Sequence, residues 1–395
     1  MNNKDLKYDL RGVSASKDEV HQAIKHLDKG LFPNAFCKVI PDIVAGDPEY
    51  CNIMHADTAG TKTSLAYIYW RETGDISVWK GIVEDAIVMN LDDLGCIGCF
   101  DNMVLSSTIG RNKSIITGEV ISTIINYTQE FLDKLGKYGV GVTLAGGETA
   151  DVGDIVRTVD VGYTAFARMK RQDIINIDIQ PGDYIVGFSS SGQATYEESY
   201  NGGMGSNGLT SSRHDVFSKY YASKYPESYN GHIPNEVVYT GSKRLTDEIE
   251  IDGSKVTAGK LVLSPTRTYL PLLKPIIENH RNAIHGLIHC SGGGQTKVSK
   301  FMGRGLRIIK DQLFDTPPLF DLIRNESGLS LREMYQVFNM GHRLECYVSD
   351  LSVAEDMIKI ADSFGVEAKI IGRVEACDHP QIEIIYAGES MVFDF

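Results

Sequence analysis

Between Val83 and Leu94 the apolar positions Val83, Ile87, Leu91 and Leu94 recur at helical spacing, and Glu84 and Asp85 stand at the end where a helix dipole favours negative charge. The pattern predicts a helix that ends near Gly95. "GEVISTIINYTQEFLDKLGKYG" predicts a second helix, with Ile121, Ile124, Ile125, Leu132 and Leu135 in one stripe before Gly136 and Gly139 stop it. Next, "GVTLA" reads as a short buried strand running into Gly146 and Gly147. "TVDVGYTAFAR" alternates Val159, Val161, Tyr163 and Ala165, as a half-buried strand does.

Past Arg168 the pattern restarts. Pro181-Gly182-Asp183 is a turn before a new apolar strand, which divides the chain into domains 1–168 and 169–395. In the second part the strand "AIHGLIHC" feeds "SGGGQTKVSKF", and the helix "VAEDMIKIADSFG" precedes the strand "VEAKIIGRV". Residues 193–260 are rich in Gly, Ser, Tyr and Asn with little periodicity, which predicts a long functional or mobile insertion. There is no strict internal repeat. The expected class is α/β (α+β) with two domains.

At 395 residues each half is long enough to bury its own core. No apolar run approaches the roughly 20 residues a membrane span needs, and "MNNKDLKYDLRGVSASKDEV" lacks the apolar stretch of a secretory leader, so a cytoplasmic protein is expected. A formal net charge of −13 argues against nucleic-acid binding, because an acidic surface repels the phosphate backbone. A bound nucleotide would be a small molecule held with a divalent cation. Seven cysteines suggest reduced thiols. Cys96 and Cys99 form a C-x-x-C, but no second pair with zinc spacing follows, and the plain reading is two small packed residues.

Three acidic segments carry candidate chemistry. In "ADTAGTK", Asp57 offers a carboxylate to Mg²⁺, Gly60 lets the backbone approach a phosphate, and Lys62 offers a point charge; the alternative is an ordinary strand-end turn. In "NLDDLG", Asp92 and Asp93 sit about 100° apart on a helix, so one of them can enter a site while the other points elsewhere, unless both belong to a solvated acidic face. In "LAGGETAD", Gly146, Gly147, Glu148 and Thr149 present backbone amides and a carboxylate at a strand end, where α/β proteins place ligands. Oxygen ligands on three segments suit a Mg-nucleotide. His285 and His289 share one face of a strand, followed by Cys290, which leaves a metal site open beside the commoner hydrogen-bonding role. Gly292, Gly293 and Gly294 resemble a phosphate nest.

Taken in order, these segments resemble the aminoimidazole ribonucleotide synthetase family, also called phosphoribosylformylglycinamidine cyclo-ligases. The resemblance rests on "DTAGTK", "DDL", "GGETA", "GDYIVGFSSSG", "SNG" from Ser206, "SPTRTY" from Ser264, "HCSGGG" from His289 and "EMYQVFNMG" from Glu333, and it spans nearly the whole chain. It implies an N-terminal domain that binds ATP and pairs with a second subunit in a shared β-barrel, so a homodimer, and a C-terminal α/β domain. The implied reaction has ATP phosphorylate the formyl oxygen of formylglycinamidine ribonucleotide; the ribose-attached nitrogen then attacks the formyl carbon and phosphate leaves, closing the ring. Carried onto this chain, it assigns Lys62, Asp57, Asp93 and Glu148 to catalysis, with the three carboxylates also as Mg²⁺ ligands. Gly60, Thr61, Gly146, Gly147 and Thr149 would bind ATP. Ser206, Asn207, Gly208, His289, Gly292, Gly293 and Gly294 would bind the ribonucleotide, with "QATYEESYNGGMG" before Ser206 as a candidate lid.

The chain departs from the family in three places. A glycine-free "LFPNAFCKVIPDIV" replaces the family's glycine-rich loop, the family's S-S-G-P-H-S-N-G is opened by the insertion and lacks its histidine, and the N-D pair is Asp92-Asp93. Two alternatives stand beside the cyclo-ligase. One is another ATP-using member of the superfamily, such as a selenophosphate synthetase, thiamine-phosphate kinase or hydrogenase-maturation-like enzyme; the other is a silent nucleotide-binding dimer.

Overall fold

The computed structural model describes residues 10–13, 22–251 and 253–395; most of the N-terminal segment "MNNKDLKYDLRGVSASKDEV" lies outside them. A five-stranded sheet has the order β1 (Val39–Pro41), β2 (Tyr50–Thr58), β5 (Val159–Lys170), β3 (Met103–Arg111), β4 (Val142–Asp151). All neighbours are antiparallel except the parallel pair β3 and β4. Period-2 alternation divides its faces. Cys51, Ile53, Tyr163 and Ala165 are buried under helices, whereas Met54 (66% exposed) and Val104 (38%) point to the other, uncovered face. Within one chain the sheet is open and closes no barrel.

Two helices follow the predicted pattern, α2 (Val78–Gly95), which begins five residues before Val83, and α3 (Gly118–Gly136); a third, α1 (Lys62–Thr73), was not read from the sequence. Helix α3 is capped by Thr117, whose side chain accepts from the Val120 amide. Its buried stripe is rotated from the expected one: Val120, Ile124, Tyr127, Phe131, Leu132 and Leu135 face inward, and Ile125 is 46% exposed. Helix α2 is buried all round, including Asp85, Asn90 and Asp92, because it lies between the first sheet and the second half of the chain. The expected solvated acidic face is therefore absent. Gly95 lets the end of α2 meet Leu270, whose methyl would lie 2.6 Å from any added Cβ.

Strand β4 is an exposed edge rather than a buried strand, and it continues through Gly146 and Gly147 to Asp151. The glycine pair makes a bulge: the register against β3 slips between Leu105 and Ser107, and a Cβ on Gly147 would stand 2.0 Å from the Ser107 hydroxyl.

The second part builds a seven-stranded mixed sheet. Along the chain its strands are β6 (Tyr184–Ser189), β9 (Ile284–His289), β10 (Leu306–Lys310), β11 (His342–Val348), β12 (Ala368–Ala376), β13 (Gln381–Tyr386) and β14 (Glu389–Asp394), ordered β14-β13-β10-β12-β6-β11-β9. A hairpin, β7 (Glu248–Ile251) with β8 (Ser254–Thr257), stands apart. The helices here are α4 (Leu209–Val216), α5 (Leu270–His280), α6 (Pro318–Ser327), α7 (Leu331–Val337) and α8 (Leu351–Ser363). Helix α7 starts with a capping box between Ser330 and Glu333, which gives the glutamate of "EMYQVFNMG" a local role. Residues 193–251 and 253–260 pack onto the rest of the chain rather than forming a shapeless insertion, with Tyr196, Arg213, His214, Tyr221 and Tyr239 buried. Among the described residues no helix is long and apolar enough to cross a membrane, and all seven cysteines are free, with Cys96 and Cys99 buried at the end of α2.

Candidate active site at the seam between the two halves

Strand β2 places His55 and Asp57 on its helix-covered face, two residues apart. Helix α2 presents Asn90 and Asp93 to them, three residues apart and so on one side. Asn90 donates through Nδ2 to the carbonyls of Ala86 (2.9 Å) and Tyr163 (3.1 Å), which turns its Oδ1 toward His55 Nδ1 at 3.0 Å. His55 Nε2 meets Asp93 Oδ2 at 3.2 Å. Both ring nitrogens therefore face acceptors, and His55 is held as an imidazolium. Burial alone would lower its pKa, but the hydrogen bond and charge of Asp93 outweigh that and raise it. Asp93 is affected in the opposite sense: burial would raise its pKa, and hydrogen bonds from His289 and His55 drive it far below the usual carboxylate range.

From the second half, His289 Nδ1 reaches Asp93 Oδ1 at 2.7 Å, and Arg343 Nε donates to His289 Nε2 at 3.1 Å. Because arginine can only donate, the His289 ring proton sits on Nδ1 and points at Asp93. Asp93 thus bridges a histidine from each half of the chain. His285, four residues earlier, is held separately by Asp183 at 2.8 Å. The two histidines on this face are therefore held by different carboxylates, Asp183 and Asp93.

Asp92 points elsewhere, as a residue about 100° round the helix must. It accepts from the Thr268 hydroxyl (2.6 Å) and the Tyr269 amide (2.9 Å). One heptad earlier on the same face, Asp85 accepts from the Thr266 amide (2.8 Å), the Thr266 hydroxyl (2.6 Å) and Lys62 Nζ (2.8 Å). "SPTRTY" is therefore a strap tied to α2 at two points. The expectation that Lys62 sits on a turn with little to lose is overturned. Its side chain is fully buried, and it also donates to the carbonyls of Gly205 (3.2 Å) and Ser264 (2.5 Å), using all three ammonium protons inside the protein. Burial pushes the Lys62 ammonium down and the Asp85 carboxyl up, each opposed by the other's charge.

The insertion before Ser206 clamps the strap from outside. Glu197 takes the Arg267 guanidinium with both oxygens (2.9 and 2.6 Å), Tyr196 donates to the Thr268 carbonyl (2.7 Å), and Asn201 donates to the Pro265 carbonyl (2.9 Å). This is a packed brace and not the loose cover expected from its composition. Asn339 of "EMYQVFNMG" binds the same region, accepting from Ser190 (2.7 Å) and donating to the Gly203 carbonyl (2.7 Å).

Beyond the strap the expected ribonucleotide-side residues come together. Ser206 Oγ lies 3.3 Å from Thr266 Oγ1, and an added Cβ on Gly292 would lie 3.4 Å from Asn207 Oδ1. Gly292 and Gly293 are exposed, while Gly294 has φ +50 and faces the Phe338 and Tyr335 carbonyls so closely that no side chain fits. Across the seam, exposed Gly60 and Thr61 join the same row, with Thr61 Oγ1 2.9 Å from Thr210 Oγ1 in the first turn of α4. The glycine-free segment packs here too, with Phe36 stacked on Phe301 at 5.0 Å and Cys37 Sγ on the Asp93 carbonyl.

Glu148 does not join this cluster within the chain. Its β-register runs Glu148, Thr108, Gly162, Thr58, which is the uncovered face, three strand spacings or about 14 Å from β2. Asp57 pairs with Tyr163 on the covered face. Asp57, Asp93 and Glu148 therefore do not converge in one chain. Both oxygens of Asp93 are taken by histidines, and among the described residues no three His, Cys, Asp or Glu side chains are grouped to hold a metal ion. The set proposed for Mg²⁺ does not fit a cation as it stands. His55, Asn90, Arg343 and Asp85 were not singled out from the sequence. His55 had a usable signal, the strand alternation with Asp57; the others acquire partners from more than 170 positions away or from different elements.

A mixed-sheet two-part enzyme fold, with a polar relay across its seam, is the class these features define. The model for "AIR synthase related protein, N-terminal domain" matches residues 37–169 and that for "AIR synthase related protein, C-terminal domain" matches 180–385, and the chain belongs to this family. Relatives include the phosphoribosylformylglycinamidine cyclo-ligases of Methanococcus vannielii, 26% identical over 97% of this chain and 92% of that protein, and of Methanocaldococcus jannaschii, 28% identical over 82% and 79%. Among solved structures, phosphoribosylformylglycinamidine synthase II of Thermotoga maritima is 13% identical with a TM-score of 0.54; the match covers 98% of this chain and 50% of that one. A chain of a HypE–HypF complex is 14% identical with a TM-score of 0.54, over 96% and 99%. At such identities the structures share the fold.

Proposed function

We propose that this chain closes the imidazole ring of aminoimidazole ribonucleotide from formylglycinamidine ribonucleotide, as a phosphoribosylformylglycinamidine cyclo-ligase with ATP as phosphoryl donor. The carrying observation is similarity along 97% of the chain to a relative of that name, supported by a seam at which the motifs behind it, apart from "GGETA", meet. The substrate's formyl oxygen takes the γ-phosphoryl group, the ribose-linked nitrogen attacks the formyl carbon, and phosphate leaves. His55, an imidazolium with 23% of its side chain exposed, is suited to meet an oxygen on which charge builds. Gly60 and Thr61 offer accessible backbone to the nucleotide beside Asp57. The Ser206–Gly208 and Gly292–Gly294 turns offer amides to the ribonucleotide, with His289 aligned by Arg343 behind them. Lys62, with all its protons used, shapes the Gly60 turn from beneath instead of touching phosphate. In this reading residues 1–168 form the nucleotide and dimerisation unit and 169–395 the substrate unit. Glu148, on the uncovered face, acts with Gly146, Gly147 and Thr149 of the same edge strand where two such sheets meet in a homodimer. Seven unpaired thiols suit a cytoplasmic setting.

The test is to incubate the purified chain with formylglycinamidine ribonucleotide, ATP and magnesium salt. The expected result is aminoimidazole ribonucleotide with one ADP per ring closed, and none without ATP. ATP consumed with no ring product would refute the assignment.

A further inference from the structure

A pocket of about 330 Å³ opens beside the Thr61–Thr210 contact. Its walls include Arg11, Arg157 and Arg213, with hydroxyls from Thr61, Thr210 and Tyr229, and among the described residues no carboxylate lines it. In a chain of 52 acidic and 39 basic residues, that local excess of cations is the reverse of the overall balance.

The three arginines are not equivalent. Arg11 is spent: it grips both oxygens of Asp215 (2.9 and 2.7 Å) and the Val237 carbonyl. Arg213 is 3% exposed, yet it donates only to the Ser228 carbonyl and the Tyr239 hydroxyl, and its Nε is buried with no partner. A buried guanidinium with an unused donor and no carboxylate bound to it is costly unless an anion completes it. Arg157 is exposed, lies beside Gly231 at the rim, and has no side-chain hydrogen bond to the described residues.

We propose that this pocket is an anion subsite that takes the phosphate group of a phosphorylated small molecule, gripped by Arg157 and Arg213 with the Thr61 and Thr210 hydroxyls. Its size suits a phosphate and the sugar that carries it. The ligand class rests on the function proposed above; the pocket's preference for an anion does not. The phosphate has two candidate sources, the 5′-phosphate of the ribonucleotide and the polyphosphate of ATP.

The test is calorimetric binding of ribose 5-phosphate and, separately, of ATP to the wild-type chain and to Arg157→Ala and Arg213→Lys. Arg157→Ala is the safe variant, because an exposed side chain without partners leaves folding alone. Loss of a charged hydrogen bond should weaken binding about 10- to 100-fold. Weakened ribose 5-phosphate binding with unchanged ATP binding assigns the subsite to the sugar phosphate, the expected result; the reverse supports the subsite and assigns it to the nucleotide. Unchanged affinity for both in Arg157→Ala, or no wild-type binding of either, overturns the proposal. Turnover is not read, so a chain that closes no ring but loses ribose 5-phosphate affinity on Arg157→Ala fails only the function above. A chain that closes the ring with both affinities intact in the variant fails only the subsite.

Discussion

At the scale of single residues the consequential group is His55, whose charge follows from the orientation of one amide. Asn90 spends its Nδ2 on carbonyls, so its oxygen and Asp93 are left to accept from the two ring nitrogens. A raised histidine pKa stabilises the fold fully below the ordinary value of 6.5 and loses that contribution as pH rises through the folded value. The lowered Asp93 contributes above 3.8 and loses its share as pH falls toward its folded value. The bridge is thus strongest between 3.8 and 6.5. We expect an NMR titration of the His55 ring to give a midpoint above 6.5, falling in Asp93→Asn because burial persists while the opposing charge is gone. An unmoved midpoint in that variant would rule out Asp93 as the cause.

At the scale of elements, the Lys62–Asp85 pair fastens α1, α2 and the strap together. The sequence suggested a lysine free to meet phosphate; the fold instead closes three elements over it. Removing one member of a buried pair leaves the other uncompensated, at about 3–5 kcal/mol, and the Asp85 Oδ2 already lacks a partner. Lys62→Met should therefore lower the unfolding free energy obtained from urea titration by an amount of that order, and adding Asp85→Asn should restore part of it by removing the stranded charge. If Lys62→Met were as stable as the parent, the lysine would be better placed at the ligand. The same scale corrects the reading of "GVTLA" as a buried strand that stops at a glycine turn: the glycines bulge an exposed edge strand past Ser107, and the strand runs on through Glu148.

For the whole molecule, the uncovered face of the first sheet is the surface through which the proposed homodimer would form. It exposes Met54 and Val104 on strands whose other face is packed, and it carries Glu148 away from Asp57. A charge in its middle is expected to separate two copies: Met54→Asp should sediment as a monomer where the parent sediments as a dimer, with activity lost alongside. A dimeric Met54→Asp chain would show that copies meet elsewhere.

Much of the fold was legible along the chain because period is a local property. The spacing of Val83, Ile87, Leu91 and Leu94, the alternation through Tyr163, and the divergence of Asp92 from Asp93 follow from helix and strand geometry alone. The order of the motifs likewise brought Ser206–Gly208 and Gly292–Gly294 into one expected group, and they do lie together. What local pattern could not supply is which side of a sheet is covered and which partner meets a buried charge. Lys62 became a brace because Asp85 and the Ser264 carbonyl arrive from other elements. Asp93 became a bridge because His289 comes from 196 residues away. Glu148 left the cluster because strand order and register set its face and distance. Residue type and spacing determined which groups were available for chemistry; the long-range packing of α2 between the two halves decided which of them face one another, because burial and hydrogen-bond partners are set only when distant segments meet.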